Sequence, residues 1–232
     1  PFLIWGLAAA IETTAGSSAS AAAAAGKRSD STQASEDPST EKREEPGRQL
    51  IVASAGDSIA FGVGDSEGLG IGKRLAKRIE ESFSLSVKTV NIAVPGATST
   101  DFLRFLESGE ADPALSDSDI ILISIGGNDL HKLMREGGET GSLPRQDFQR
   151  NRLEEFQNNL KKSISLIREI NKDTIIVIYG IYNPYRTIDD TEFIQDLLRW
   201  NLAILDRTVY DDLTIPVPLF DLFQGNADLL VN

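Results

Sequence analysis

The 232-residue chain contains no cysteine, one histidine and one methionine. Without cysteine it has no disulfide, no thiolate metal ligand and no cysteine to carry a lipid. The redox compartment stays open, because a protein without thiols suits either side of a membrane. With His131 alone, a zinc site would consist mostly of carboxylates, an uncommon donor set. No metal and no organic cofactor is expected. Positive charge is scarce too: 23 Lys and Arg stand against 35 Asp and Glu, a formal charge of −12. Phosphate backbones are held by clustered Lys and Arg, so no nucleic-acid partner is expected. The same balance disfavours stable binding to anionic lipid surfaces.

Long apolar runs are also missing. Residues 1–11 (PFLIWGLAAAI) are apolar and 21–25 are all alanine, but polar residues separate them and neither is long enough to span a bilayer. Because the chain starts at Pro1 and not Met, residues 1–25 are expected to be the remnant of a signal peptide or N-terminal anchor. An exposed low-complexity tail is the plainer alternative. Residues 26–48 mix charges with Ser, Thr and Pro and have no apolar face, as a disordered polar linker does. That order predicts an exported domain, extracellular or anchored outside the cytoplasmic membrane, with a membrane tether through the N-terminus left open.

What remains, 49–232, can bury one good-sized core. Residues 50–55, 87–94, 120–125, 174–181 and 214–220 read as five strands rich in Val, Ile and Leu. Their near-continuous apolar character indicates a parallel sheet covered on both faces. Helical spacing appears between them: Leu75, Ile79 and Phe83 in 72–84, then Leu153, Phe156, Leu160, Ile164 and Ile167, then Phe193, Leu197, Trp200 and Ile204. Strand alternating with helix predicts a three-layer α/β/α domain with a central five-stranded parallel sheet and right-handed crossovers.

Gly68, Gly70 and Gly72 before Lys73 superficially suggest a phosphate loop. A Walker loop needs glycine where Glu67 stands and Ser or Thr where Arg74 stands, and a dinucleotide fingerprint would need glycine at Lys73. A turn and a helix start are expected instead.

Gly-Asp-Ser occurs at 56–58 and at 64–66, and only the first copy directly follows a strand. Ser58 is therefore the candidate nucleophile and Ser66 a loop serine. Taken alone, Ser58 serves equally well as a helix N-cap. The next two strand ends carry Pro95-Gly96 and Gly126-Gly127-Asn128-Asp129. Acyl transfer needs such a set, because the oxyanion of a tetrahedral intermediate can be held by the Ser58 and Gly96 N–H groups and the Asn128 amide. One such donor contributes about 3 kcal/mol to lowering the barrier. Glycine at 96 and 127 lets the backbone approach a substrate closely. As the alternative, each segment is a strand-to-helix turn capped by Asn128 and Asp129.

These blocks, Gly56-Asp57-Ser58, Gly96 and Gly126-Gly127-Asn128-Asp129, resemble those of the GDSL or SGNH hydrolases, a family of esterases and lipases with a flavodoxin-like fold. Gly180-Ile-Tyr182-Asn183-Pro184 resembles lysophospholipase-like bacterial members. The resemblance implies Ser58 as nucleophile and Gly96 and Asn128 as oxyanion donors, with Gly56, Asp57, Gly127 and Asp129 supporting them. It also implies an Asp-x-x-His block after the fifth strand. Asp221, beside the expected end of that strand, is followed at the third position by Gln224, so the block is expected beyond Asn232. His131, three residues after Asn128, is expected to be a rim residue and not the base. Asp57 is expected to be structural. Tyr182, Tyr185, Phe61 and Met134 are candidates for an acyl pocket. The chain is thus expected to be a serine ester hydrolase acting on a small-molecule or lipid-like ester. A non-catalytic binding module that keeps the fold without its base is the competing expectation.

Overall fold

The computed structural model describes residues 49–136, 145–184 and 191–223. The apolar segment 1–25, the linker 26–48, Tyr185 and everything after 223 lie outside the described residues. Five strands form: β1 (Leu50–Gly56), β2 (Val87–Asn91), β3 (Ile120–Ser124), β4 (Ile175–Tyr179) and β5 (Thr214–Val217). They pair in the order β2-β1-β3-β4-β5, every pair parallel, as the apolar runs predicted. After β1 come α1 (Ser58–Phe61) and α2 (Gly70–Phe83), and after β2 come α3 (Ser99–Glu107) and α4 (Asp112–Leu115). After β3 come α5 (Gly127–Glu136) and α6 (Arg145–Ile170), then α7 (Thr191–Thr208) after β4 and α8 (Phe220–Phe223) after β5. The strand order reverses at β1, which has β2 on one side and β3 on the other. In such sheets a crevice opens there, at the carboxyl ends of the strands.

Successive strand residues point to opposite faces. Ala53, Ala55, Ile121, Ile123, Ile176 and Ile178 belong to the main core with Phe102, Phe156 and Trp200 from α3, α6 and α7. Phe156 and Trp200 stack with ring centroids 4.6 Å apart, a pairing worth about 0.5–1.5 kcal/mol beyond the area it buries. Val52, Ile120 and Leu122 on the alternate face are fully buried as well.

Four strands are shorter than expected, β3 by the single residue Ile125. β2 stops at Asn91, whose side chain turns the backbone: it accepts from the Ala93 N–H at 3.1 Å and donates to the Phe61 carbonyl at 3.1 Å. β4 stops at Tyr179. β5 stops at Val217 because Pro218 has no N–H to continue the ladder, so the expected strand end at Phe220 is instead the first residue of α8. Pro216 is tolerated within β5 because β5 is an edge strand. The second Gly-Asp-Ser is structural: Asp65 accepts from the Gly70 N–H at 2.8 Å and from Arg74 Nε at 3.0 Å, which fastens the start of α2.

Candidate active site

The segments that follow β1, β3 and β4 line one crevice at the carboxyl edge of the sheet, and the loop after β2 lies beside it. β1 ends at Gly56, with φ +107°, and a Cβ there would overlap the Ser124 carbonyl. Only glycine lets the chain leave β1 this close to β3, where the Asp57 N–H donates to the Ser124 carbonyl at 2.8 Å. The Asp57 carboxylate then caps α1 by accepting from the Ile59 N–H at 3.0 Å. Asp57 is therefore the N-cap, and the alternative that Ser58 serves as the cap is corrected. Ser58 is the first residue of α1, half-buried, with its side chain on the cleft.

Asp57 itself is buried. Burial pushes its carboxyl up to about 6, and the nearby Asp129 charge adds to the rise. Hydrogen bonds from the Ile59 and Ala60 N–H groups and the Ser124 hydroxyl pull the other way without cancelling it. Ser124 had no assigned role in the sequence; as the polar end of an apolar strand it was a visible signal.

The loop after β2 stays against β1, with the Ile92 N–H donating to Ser54 O at 2.9 Å and the Val94 N–H to Gly56 O at 2.8 Å. Gly96 follows at φ +84°, exposed. It does not line the cleft. Its loop is joined to α5 by Asn128, whose Nδ2 donates to the Ala97 carbonyl at 2.8 Å. That bond uses one N–H of the amide and leaves the second available. Among the described residues, the backbone N–H groups of Ser58 and Gly96 have no hydrogen-bond partner.

At the end of β3 the constrained glycine is Gly126, with φ +102°. A Cβ there would lie 2.6 Å from the Phe156 ring and 3.1 Å from Ile181. Gly127, expected to be the close-approach position, is the first residue of α5 and lines the cleft with Asn128. Asp129 faces away from the cleft. It accepts from the Ser99 N–H at 2.8 Å and the Ser99 hydroxyl at 2.6 Å, and Asn159 Nδ2 reaches the same hydroxyl at 3.1 Å. Burial raises the Asp129 carboxyl above its ordinary value. Asp129 thus joins α5 to α3 and α6 and stabilises the turn that presents Asn128.

The cleft encloses about 250 Å³. Ser58, Asp57, Gly127 and Asn128 line its polar end, and Ile125, Leu130, Met134, Tyr182, Phe193 and Leu219 make an apolar wall. Tyr182 packs against Phe223 with ring centroids 4.5 Å apart, and burial together with the Asp57 charge raises its hydroxyl's pKa. Of the expected pocket residues, Tyr182 and Met134 are in this wall. Phe61 is exposed and outside it. Phe193 was read only as a helix-stripe residue. His131 borders the cleft one helical turn beyond Asn128, exposed, and among the described residues it hydrogen-bonds to no carboxylate. Among the described residues there is no group of three or more His, Cys, Asp or Glu able to hold a metal ion. None of the described helices is long and apolar enough to cross a membrane.

Comparison with known proteins agrees with this architecture. The chain is 30% identical over 185 residues to the uncharacterized protein YpmR of Bacillus subtilis (strain 168), a match covering 77% of this chain and 70% of that protein. A lipase from a goat rumen metagenome shares the fold with a TM-score of 0.64 at 20% identity, covering 78% of this chain and 85% of that one. An extracellular lipase from Streptomyces rimosus matches with a TM-score of 0.55 at 17% identity, covering 76% and 82%. A catalytic mutant of an acetylxylan esterase from Geobacillus stearothermophilus matches with a TM-score of 0.58 at 17% identity, covering 79% and 82%. The model of the GDSL-like lipase/acylhydrolase family matches residues 54–231, and the chain belongs to that family.

Proposed function

We propose that this chain is a serine ester hydrolase working through an acyl-enzyme on Ser58. The observation that carries this reading is that Ser58 and Asn128 line one cleft, with the Ser58 N–H unpartnered among the described residues and one N–H of the Asn128 amide still available. The Gly96 N–H, on the neighbouring loop that Asn128 ties down, is the third donor of the proposal. Ser58 Oγ gives its proton to the histidine of the Asp-x-x-His block that the family resemblance implies, and attacks the ester carbonyl carbon. The carbonyl electron pair moves onto oxygen, where these donors receive the charge. Collapse of the intermediate breaks the bond to the leaving oxygen, which takes the proton back from the same histidine and departs as the alcohol. Water then attacks the acyl-enzyme by the same route and releases the acid.

The proton of Ser58 requires a base that a third group orients. His131, the sole histidine of the sequence, borders the cleft without a carboxylate partner among the described residues. It is therefore assigned to the rim and not to the triad. Among the described residues, the cleft wall bears apolar side chains and no lysine or arginine. It suits an uncharged, apolar acyl group on a small or lipid-like ester. The apolar start and polar stretch that follow each other in 1–48 support action outside the cytoplasmic membrane.

The test is hydrolysis of short p-nitrophenyl esters by the chain extended to carry an Asp-x-x-His block after residue 232. The 232 residues alone should be nearly inert, since without the triad base only oxyanion-hole and binding effects remain. Ser58→Ala should return the rate to background, Asn128→Ala should lower it by about 10²–10³, and His131→Ala should leave it unchanged. Activity that survives Ser58→Ala sinks the nucleophile assignment, and loss of activity on His131→Ala makes that residue the base. A folded extended chain that binds esters without turning them over favours the binding-module alternative.

A further inference from the structure

Helix α7 is apolar on two faces. Its inner face, with Phe193, Leu197, Trp200, Ala203 and Ile204, is buried in the core. Its outer face carries Leu198, Leu202 and Leu205, and Val209 in the turn directly after the helix, at 42%, 63%, 47% and 67% exposure. These positions advance by four, three and four residues, the spacing of a seam that packs against another helix. A contiguous apolar strip is unexpected on the surface of a chain with formal charge −12, and such strips mark contact surfaces.

The charges beside the seam indicate which helix fits. Arg199 and Asp206 are exposed, one heptad apart, on the same side of the strip. Within the helix Arg199 pairs with Asp196 at 2.8 Å and Asp206 with Arg207 at 3.8 Å, and each keeps an exposed side that a second copy can reach. Two copies of α7 laid antiparallel about a two-fold axis would set Leu202 of one against Leu205 of the other, and Leu198 against Val209. In that register Arg199 of each copy comes beside Asp206 of the other, so both charge pairs are complementary. The surface is thus self-complementary, as a two-fold interface must be.

We propose that the outer face of α7 is a self-association surface on which a second copy of this chain packs its own α7 antiparallel. Phe193 faces the cleft from the inner side of the same helix, so pairing through the outer face leaves the cleft open.

Sedimentation equilibrium of the full chain over the micromolar range tests this. A dimer is expected, with Leu202→Glu weakening it by about tenfold or more while leaving the circular dichroism spectrum and melting temperature unchanged. Arg199→Asp and Asp206→Arg should each weaken association and, combined, restore it. A monomer throughout, a dimer indifferent to Leu202→Glu, or a double charge exchange that fails to restore pairing would overturn the proposal. So would two other occupants. A monomer whose Leu202→Cys thiol stays closed to maleimide means that the chain's own residues cover the strip. A monomer that co-sediments with phosphatidylcholine vesicles means that lipid does.

Discussion

Asp57 adjoins the nucleophile candidate and is a buried carboxylate. Its carboxyl titrates near 6 in the folded chain against an ordinary 3.8, because burial disfavours the charged form. The sign of the linkage follows from that. Folding binds the proton more tightly, so the favourable contribution is fully present below 3.8 and is lost as pH rises through about 6. At neutral pH and above, the ionised group costs up to about 3 kcal/mol. Asparagine keeps an acceptor for the Ile59 N–H and caps helices as well as aspartate does. Asp57→Asn should therefore stabilise the chain against urea by up to about 3 kcal/mol at about pH 8, with the gain vanishing below about pH 4. An equal effect at both pH values would contradict the burial account. At this scale the sequence showed Ser58, Gly96 and Asn128 through their places after three apolar runs. It could not show that the strained glycine is Gly126 and not Gly127, because Phe156, thirty residues away on α6, sets that constraint.

Among the elements, the turn after β4 is held by a single side chain. Asn201 on α7 accepts from the Ile181 N–H at 2.9 Å and donates to the Ile181 carbonyl at 2.8 Å and the Leu197 carbonyl at 2.9 Å. This holds the exit of β4, and with it Tyr182, against α7. Asn201→Ala strands both polar groups of a buried backbone segment and should cost about 2–3 kcal/mol in urea unfolding with an unchanged m-value. A loss below about 0.5 kcal/mol would show that water replaces the amide. Neither this clamp nor the link from Asp129 to Ser99 has a local signature, since their partners are 20 and 30 residues apart. The five strands and three long helices were legible because their apolar periodicity is local. Their ends were not: Asn91 and Pro218 stop β2 and β5 through individual side chains, and α1, with four residues, is too short to show a period.

The molecule as a whole places its chemistry where a parallel sheet reverses its strand order, and it keeps most charge away from that place. Among the described residues lysine and arginine are absent from the cleft wall, while the buried Asp57, its carboxyl pushed up to about 6, adjoins the serine. The outer face of α7, on the far side of the same helix that walls the cleft, is free to pair with a second copy without covering Ser58. Sequence order alone put the proposed nucleophile and oxyanion donors, Ser58, Gly96 and Asn128, on one sheet edge, because each follows the end of an apolar strand. The scarcity of histidine likewise appeared first in the composition, and His131's lack of a carboxylate partner among the described residues keeps it apart from the triad. All of this rests on Ser58 being the reactive hydroxyl. Incubation with an alkyl fluorophosphonate, read by intact mass and peptide mapping, tests that directly. With the chain extended to carry an Asp-x-x-His block, one adduct per chain is expected, on the peptide containing Ser58, with none formed by Ser58→Ala. An adduct on Ser66 or another serine, or labelling that persists in Ser58→Ala, would contradict the assignment.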